Sequence, residues 1–142
     1  MTARHPSISP TRTRFGSRPM IAAGFVKRQG QDELFEAVFA RSEPRTVLTG
    51  MRGSGKTQLA AAVAARCEEE GWPLVAWINA ASRKHIIADL YELALRIGID
   101  APKNIPLEVI AQRLLAQLRS TEAADRLFVF DNVENPDDLR DL

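Results

Sequence analysis

Apolar positions along the chain fall into runs of two kinds. Leu74-Val75-Ala76-Trp77-Ile78 and Leu127-Phe128-Val129-Phe130 are unbroken, which predicts strands covered on both faces, as inside a parallel sheet. Arg45-Thr46-Val47-Leu48-Thr49 is a shorter β-branched and apolar run that predicts a further strand. Elsewhere the apolar residues return with a helical period. Leu34 pairs with Val38 and Phe35 with Phe39 in a stretch opened by Asp32, and Leu59, Val63 and Cys67 share one face of an Ala-rich segment from Gln58 to Glu70. Ile86, Leu90, Ala94 and Ile97 mark a helix over 83–97 that Gly98 ends, and Ile110, Leu114 and Leu118 mark another beginning near Pro106. Helices between successive strands make those strands parallel, so the fold class expected is α/β.

The junction of the first strand and the helix after it carries the chemistry. Gly50-Met51-Arg52-Gly53-Ser54-Gly55-Lys56-Thr57 fits the phosphate-loop pattern G-x-x-x-x-G-K-[ST] in full, in the order strand, glycine loop, helix. A polyphosphate is held best by backbone N–H groups converging on a concave turn, and side chains at Gly50, Gly53 and Gly55 would obstruct that approach. The helix start, with Gln58 in its first turn, adds its own N–H groups and the positive end of its dipole. Lys56 is expected to reach the β- and γ-phosphates, and the Thr57 hydroxyl to ligate Mg²⁺, a hard cation that prefers oxygen. Leu127–Phe130 ends in Asp131-Asn132, and an acid at the carboxyl end of a buried parallel strand lies where open α/β sheets bind ligands. Asp131 is therefore the expected Mg²⁺-side partner of Thr57.

Composition narrows the classes. With 142 residues, 45% of them hydrophobic, the chain has room for one domain with a sizeable core, and a formal net charge of +1 offers no general attraction to nucleic acid or to an anionic membrane. No apolar run approaches the ~18 residues of a membrane span, and one cysteine forms no internal disulfide, which agrees with a cytoplasmic location. Residues 1–20 combine Arg4, Arg12, Arg14 and Arg18 with Pro, Ser and Thr and lack both acids and periodicity, which predicts a disordered basic arm ahead of a folded part from 21 to 142. Gly24 to Phe39 is then the first folded element. Trp72 and Trp77 are expected to pack, and His85, with no second ligand at metal spacing, to be solvated.

These motifs resemble the NB-ARC class of signal-transduction ATPases, the STAND group of P-loop proteins. Gly-Met-Arg-Gly-Ser-Gly-Lys-Thr-Gln-Leu-Ala is similar to that class's G-M-G-G-x-G-K-T-x-L-A, departing at Arg52 and Ser54. Val75-Ala76-Trp77-Ile78-Asn79-Ala80 resembles the second strand of bacterial members whose ATPase precedes tetratricopeptide repeats, and Phe128-Val129-Phe130-Asp131-Asn132 resembles their Walker B segment. Phe25-Val26-Lys27-Arg28 stands where the family borders the adenine with an aromatic or aliphatic-Val-Gly-Arg motif, so the resemblance makes Arg28 a nucleotide-binding candidate, with Lys27 in place of the glycine. It implies a three-layer α/β/α P-loop NTPase with a parallel sheet, binding ATP or ADP with Mg²⁺ as a signalling switch, and Lys56 and Asp131 as its catalytic groups. Family members continue past Walker B with further strands, a winged-helix segment and a repeat-rich sensor. The chain is thus expected to be an amino-terminal piece with three core strands, prone to self-association. The family's usual acid after the Walker B Asp is replaced by Asn132, which implies slow or absent hydrolysis. A small-molecule or nucleotide kinase and an inactive interaction fragment are the competing readings.

Overall fold

The computed structural model describes residues 12–21, 31–39, 55–120 and 126–142. The strand expected over 45–49, the loop residues Gly50 to Ser54, and Arg28 lie outside them. Among the described residues the chain is α/β, with a three-stranded parallel sheet and four α-helices. In chain order these are β1 (Thr13–Phe15), α1 (Gln31–Phe39), α2 (Lys56–Glu69), β2 (Leu74–Asn79), α3 (Arg83–Arg96), α4 (Leu107–Ser120) and β3 (Arg126–Asp131), followed by a 3-10 turn over Pro136–Leu139. They group into two compact units, Arg18–Glu70 and the remainder, Met1–Ser17 with Gly71–Leu142.

The larger unit holds the sheet, in the order β1-β2-β3. β2 and β3 run parallel in the register Leu74↔Arg126 to Asn79↔Asp131, joined by the helical crossover α3–α4. Leu74, Ala76 and Ile78 on one face of β2 form a core with Ile86, Leu90 and Leu93 of α3 and Ile110, Ala111 and Leu114 of α4. Ile78, Ile86, Leu90, Leu93, Ile110 and Leu114 are fully buried, each contributing about 1.5–3 kcal/mol by area removed from water. Phe128 and Phe130 pack against the same core, their rings stacked at 6.3 Å. Val75 and Trp77, on the other face of β2, are buried too, so β2 is covered as its unbroken apolar run predicts. β3 departs from the same expectation. Its six residues are all half-buried, because among the described residues it has β2 on one side and no strand on the other.

The third described strand is not one the apolar runs pick out. Thr13–Phe15 lies within the tract 1–20, expected to be disordered, and pairs with β2 in the register Thr13↔Leu74 to Phe15↔Ala76. Thr13 and Phe15 are half-buried and Arg14 is exposed, the alternation of a strand with one face inward, and Phe15 reaches the core. The Thr13 N–H bonds the Pro73 carbonyl at 2.8 Å. Tertiary pairing, rather than local propensity, makes this strand. Gly16 ends it with φ +89°, and a Cβ there would lie 1.9 Å from the Trp77 carbonyl oxygen.

The helix ends follow their sequence signals. Ser82 caps α3, its Oγ accepting from the His85 N–H, while exposed His85 returns a ring contact at 2.7 Å. At the other end, Gly98 N–H bonds the Leu95 carbonyl and Ile99 N–H the Ala94 carbonyl, with Gly98 left-handed at φ 90°, which satisfies the last carbonyls and returns Ile99 to the core. After β3, Asn135 caps the 3-10 turn by accepting from the Asp137 N–H. Arg83 holds this turn from α3. It donates to the carbonyls of Asp138 (3.0 Å) and Arg140 (2.7 Å) and pairs with Glu108 of α4 (2.9 Å).

The smaller unit contains α1 packed on α2, with Leu34 buried. In α2, Ala61, Ala62, Val63, Ala64 and Cys67 are buried, and Cys67 sits on the apolar face that its spacing from Val63 predicts. Glu68 pairs with Arg18 at 3.0 Å.

Candidate functional site

Two places carry the chemistry expected from the sequence, and each is described within its own unit. The first is the start of α2. Gly55 precedes the helix in a left-handed conformation, φ 84° and ψ 16°, which a residue with a Cβ adopts only at a cost. Lys56 is the first helical residue, and Thr57 and Gln58 complete the opening turn, all half-buried. Leu59 N–H to Gly55 carbonyl, at 2.9 Å, begins the helical ladder. The N–H groups of Lys56, Thr57 and Gln58 come before it, so they belong to the set a helix cannot satisfy internally. The first turn has no acidic residue, although acids are the residues that stabilise a helix start. The donor set therefore fits a polyphosphate: backbone N–H groups, an ammonium and a hydroxyl, with no carboxylate in the first turn to repel the anion. The Gln58 side-chain amide donates to the Met20 carbonyl at 3.2 Å.

The second place is the carboxyl end of β2 and β3. Asp131 is the last residue of β3, half-buried, opposite Asn79 in the register. Its carbonyl accepts from the Ala80 N–H at 2.8 Å, and its Oδ1 from the Asn132 N–H at 3.0 Å, where Asn132 turns into the left-handed region at φ 64°. Asn79 is anchored with equal care. Its N–H donates to Asp89 Oδ2 of α3 at 2.8 Å, and its Oδ1 accepts from the Ala81 N–H at 3.1 Å. Among the described residues no group of three or more His, Cys, Asp or Glu side chains gathers as a metal cage. Mg²⁺ does not require one, since it is commonly held through one or two protein oxygens, water and the phosphates of its substrate.

Of the residues the sequence singles out, the structure describes Gly55, Lys56, Thr57 and Gln58 at the helix start and Asp131 at the strand end. The anchoring of Asn79 by Asp89 was not legible in the sequence, since it joins residues ten apart through the packing of α3 on β2. Among the described residues no helix is long and apolar enough to cross a membrane. Comparison of the chain with known protein families, with characterised proteins and with solved structures gives no match.

Proposed function

We propose that the chain is a P-loop nucleotide-binding domain that takes ATP or ADP with Mg²⁺. The observation that carries this reading is the start of α2: a complete G-x-x-x-x-G-K-T sequence whose last glycine is left-handed and whose Lys and Thr open a helix. Lys56 neutralises the β- and γ-phosphates, the Thr57 hydroxyl ligates Mg²⁺, and Asp131 serves the cation. Bound Mg²⁺ would supply charge neutralisation on the phosphates. The resemblance to NB-ARC ATPases supports a switch in which bound nucleotide selects one of two states.

Titration with ATP plus Mg²⁺ and with ADP plus chelator tests the assignment of Asp131. Asp131→Ala weakens Mg²⁺-dependent ATP binding by about 1–3 kcal/mol, the scale of a lost charge-assisted contact, and leaves metal-free ADP binding close to wild type. Equal losses in the two titrations would make Asp131 a structural residue.

Hydrolysis is expected to be slow. Asn132 follows Asp131 where a general base would serve, and an amide takes no proton from water, so turnover at saturating ATP falls well below the ~10 s⁻¹ typical of enzymes. Glu134 is the nearest carboxylate after it in sequence. Fast turnover that disappears in Glu134→Gln would move the base to that residue.

A further inference from the structure

Along one edge of β2, five consecutive residues of the amino-terminal tract are seated in turn. The Arg12 guanidinium lies against Gly71, where a Cβ would come within 3.1 Å of its Nη2. Thr13 N–H bonds the Pro73 carbonyl, Arg14 stands in register with Val75, and Phe15 packs on the core. Gly16 then passes so close to the Trp77 carbonyl that no Cβ fits. Main-chain pairing at a sheet edge, with fitted positions along it, is how sheets take up an extended peptide as an added strand. The tether that delivers this strand is long. β1 and Gly16 belong to the unit that holds the sheet, but the chain leaves that unit after Ser17 and returns at Gly71, having formed all of Arg18–Glu70 in between. Within that second unit Arg18 is held by Glu68 at 3.0 Å and the Met20 carbonyl by Gln58 at 3.2 Å, so exposed Ser17 is the joint.

We propose that residues 12–16 exchange between two copies of this chain, each copy seating its β1 on the β2 edge of the other in a closed, reciprocal dimer. The second copy is the partner because its residues 12–16 are the peptide that the edge fits at each position from Gly71 to Trp77. Exchange keeps every one of those contacts and alters only the path of the chain at Ser17. What sets the balance is therefore the tether. Loop closure costs more as the closed length grows, and the local concentration of a tethered segment falls with that length as roughly the −3/2 power. A strand of three paired residues at the end of such a tether gives way to the same strand of another molecule once the protein is concentrated. The inference does not depend on the nucleotide-binding reading.

Disulfide trapping tests the exchange. Register partners on neighbouring strands lie about 4.8 Å apart, inside the about 4.4–6.8 Å that a disulfide spans between Cα atoms. One full chain carries Arg14→Cys and another Val75→Cys, so a 14–75 disulfide, identified by peptide mapping, forms only between copies. The two are unfolded together, refolded at about 10 µM and at about 500 µM, and oxidised, beside a chain that carries both substitutions. The mixed disulfide is expected to rise about 10-fold or more between the two concentrations, and to fall about 10-fold when Gly16→Ala is added to the Arg14→Cys chain. Wild-type protein refolded at the higher concentration is expected to give a dimer by light scattering that Gly16→Ala lacks. A 14–75 disulfide confined to the doubly substituted chain at both concentrations overturns the inference and leaves β1 docked within its own chain. A mixed disulfide that ignores Gly16→Ala reports collision and overturns it too, as does a wild-type dimer that Gly16→Ala retains, which would use another surface. No 14–75 disulfide even in the doubly substituted chain would take β1 off β2 and the inference with it.

Discussion

Replacing Lys56 by alanine is expected to abolish measurable nucleotide binding while leaving the fold as stable as before, or slightly more so. The two effects have one origin. Lys56 is the first residue of α2, and a cation at the positive end of a helix dipole costs about 0.3–1 kcal/mol. Alanine removes that cost and is the better helix former. Binding moves the other way. Charge-assisted hydrogen bonds are worth about 1.5–3 kcal/mol each, and loss of contacts to two phosphates lowers affinity on the order of 100-fold or more. Calorimetric titration with ATP and ADP, beside a thermal melt, reads both quantities on one sample. An affinity unchanged by the substitution would remove the helix start from consideration as a phosphate site.

Gly16→Ala is expected to release β1 from the sheet. The added Cβ would meet the Trp77 carbonyl oxygen at 1.9 Å, and the residue would also have to hold φ +89°. Backbone cannot give way here as a flexible side chain could, because the Trp77 carbonyl belongs to the central strand, whose other edge is bonded to β3. The chain avoids the clash by undocking three residues, so the loss is bounded near 1–3 kcal/mol, the scale of a strained backbone position. Amide exchange makes the outcome specific: protection at Arg14 and Phe15 falls while Ile78 and Val129 keep theirs. Loss of protection across the whole sheet would instead make β1 part of the cooperative core.

The same contrast explains what could be read from residues alone. The spans of β2, α3, α4 and β3 were legible because each carries a long apolar signal: unbroken in the strands, recurring at Ile86, Leu90 and Ala94 or at Ile110, Leu114 and Leu118 in the helices. β1 was not, since three residues are too few to show a period and its tract is dominated by Arg, Pro, Ser and Thr. The need for glycine at position 55 was legible in the G-x-x-x-x-G-K-[ST] pattern, though its left-handed φ was not, whereas Gly16 owes its place to a carbonyl on another strand. At the strand ends, Asp131 announces itself as an acid closing an apolar run. The backbone N–H of Asn79 is held by Asp89, and nothing local marks that pair.

The contact between Arg83 and the turn after β3 bears on how that turn acquires its shape. A single 3-10 turn, Pro136–Leu139, is too short to hold itself, and carbonyls at its end are among those that short helices leave unserved. Arg83 serves two of them across 55 and 57 residues of sequence. The conformation of the turn is therefore borrowed, lent by a guanidinium that is in place only when α3 has begun. Chains emerge from synthesis amino end first, so the lender is made and can be folded before the borrower exists. A probe placed near Asp138 would accordingly report the state of the first turn of α3, fraying whenever that turn frays.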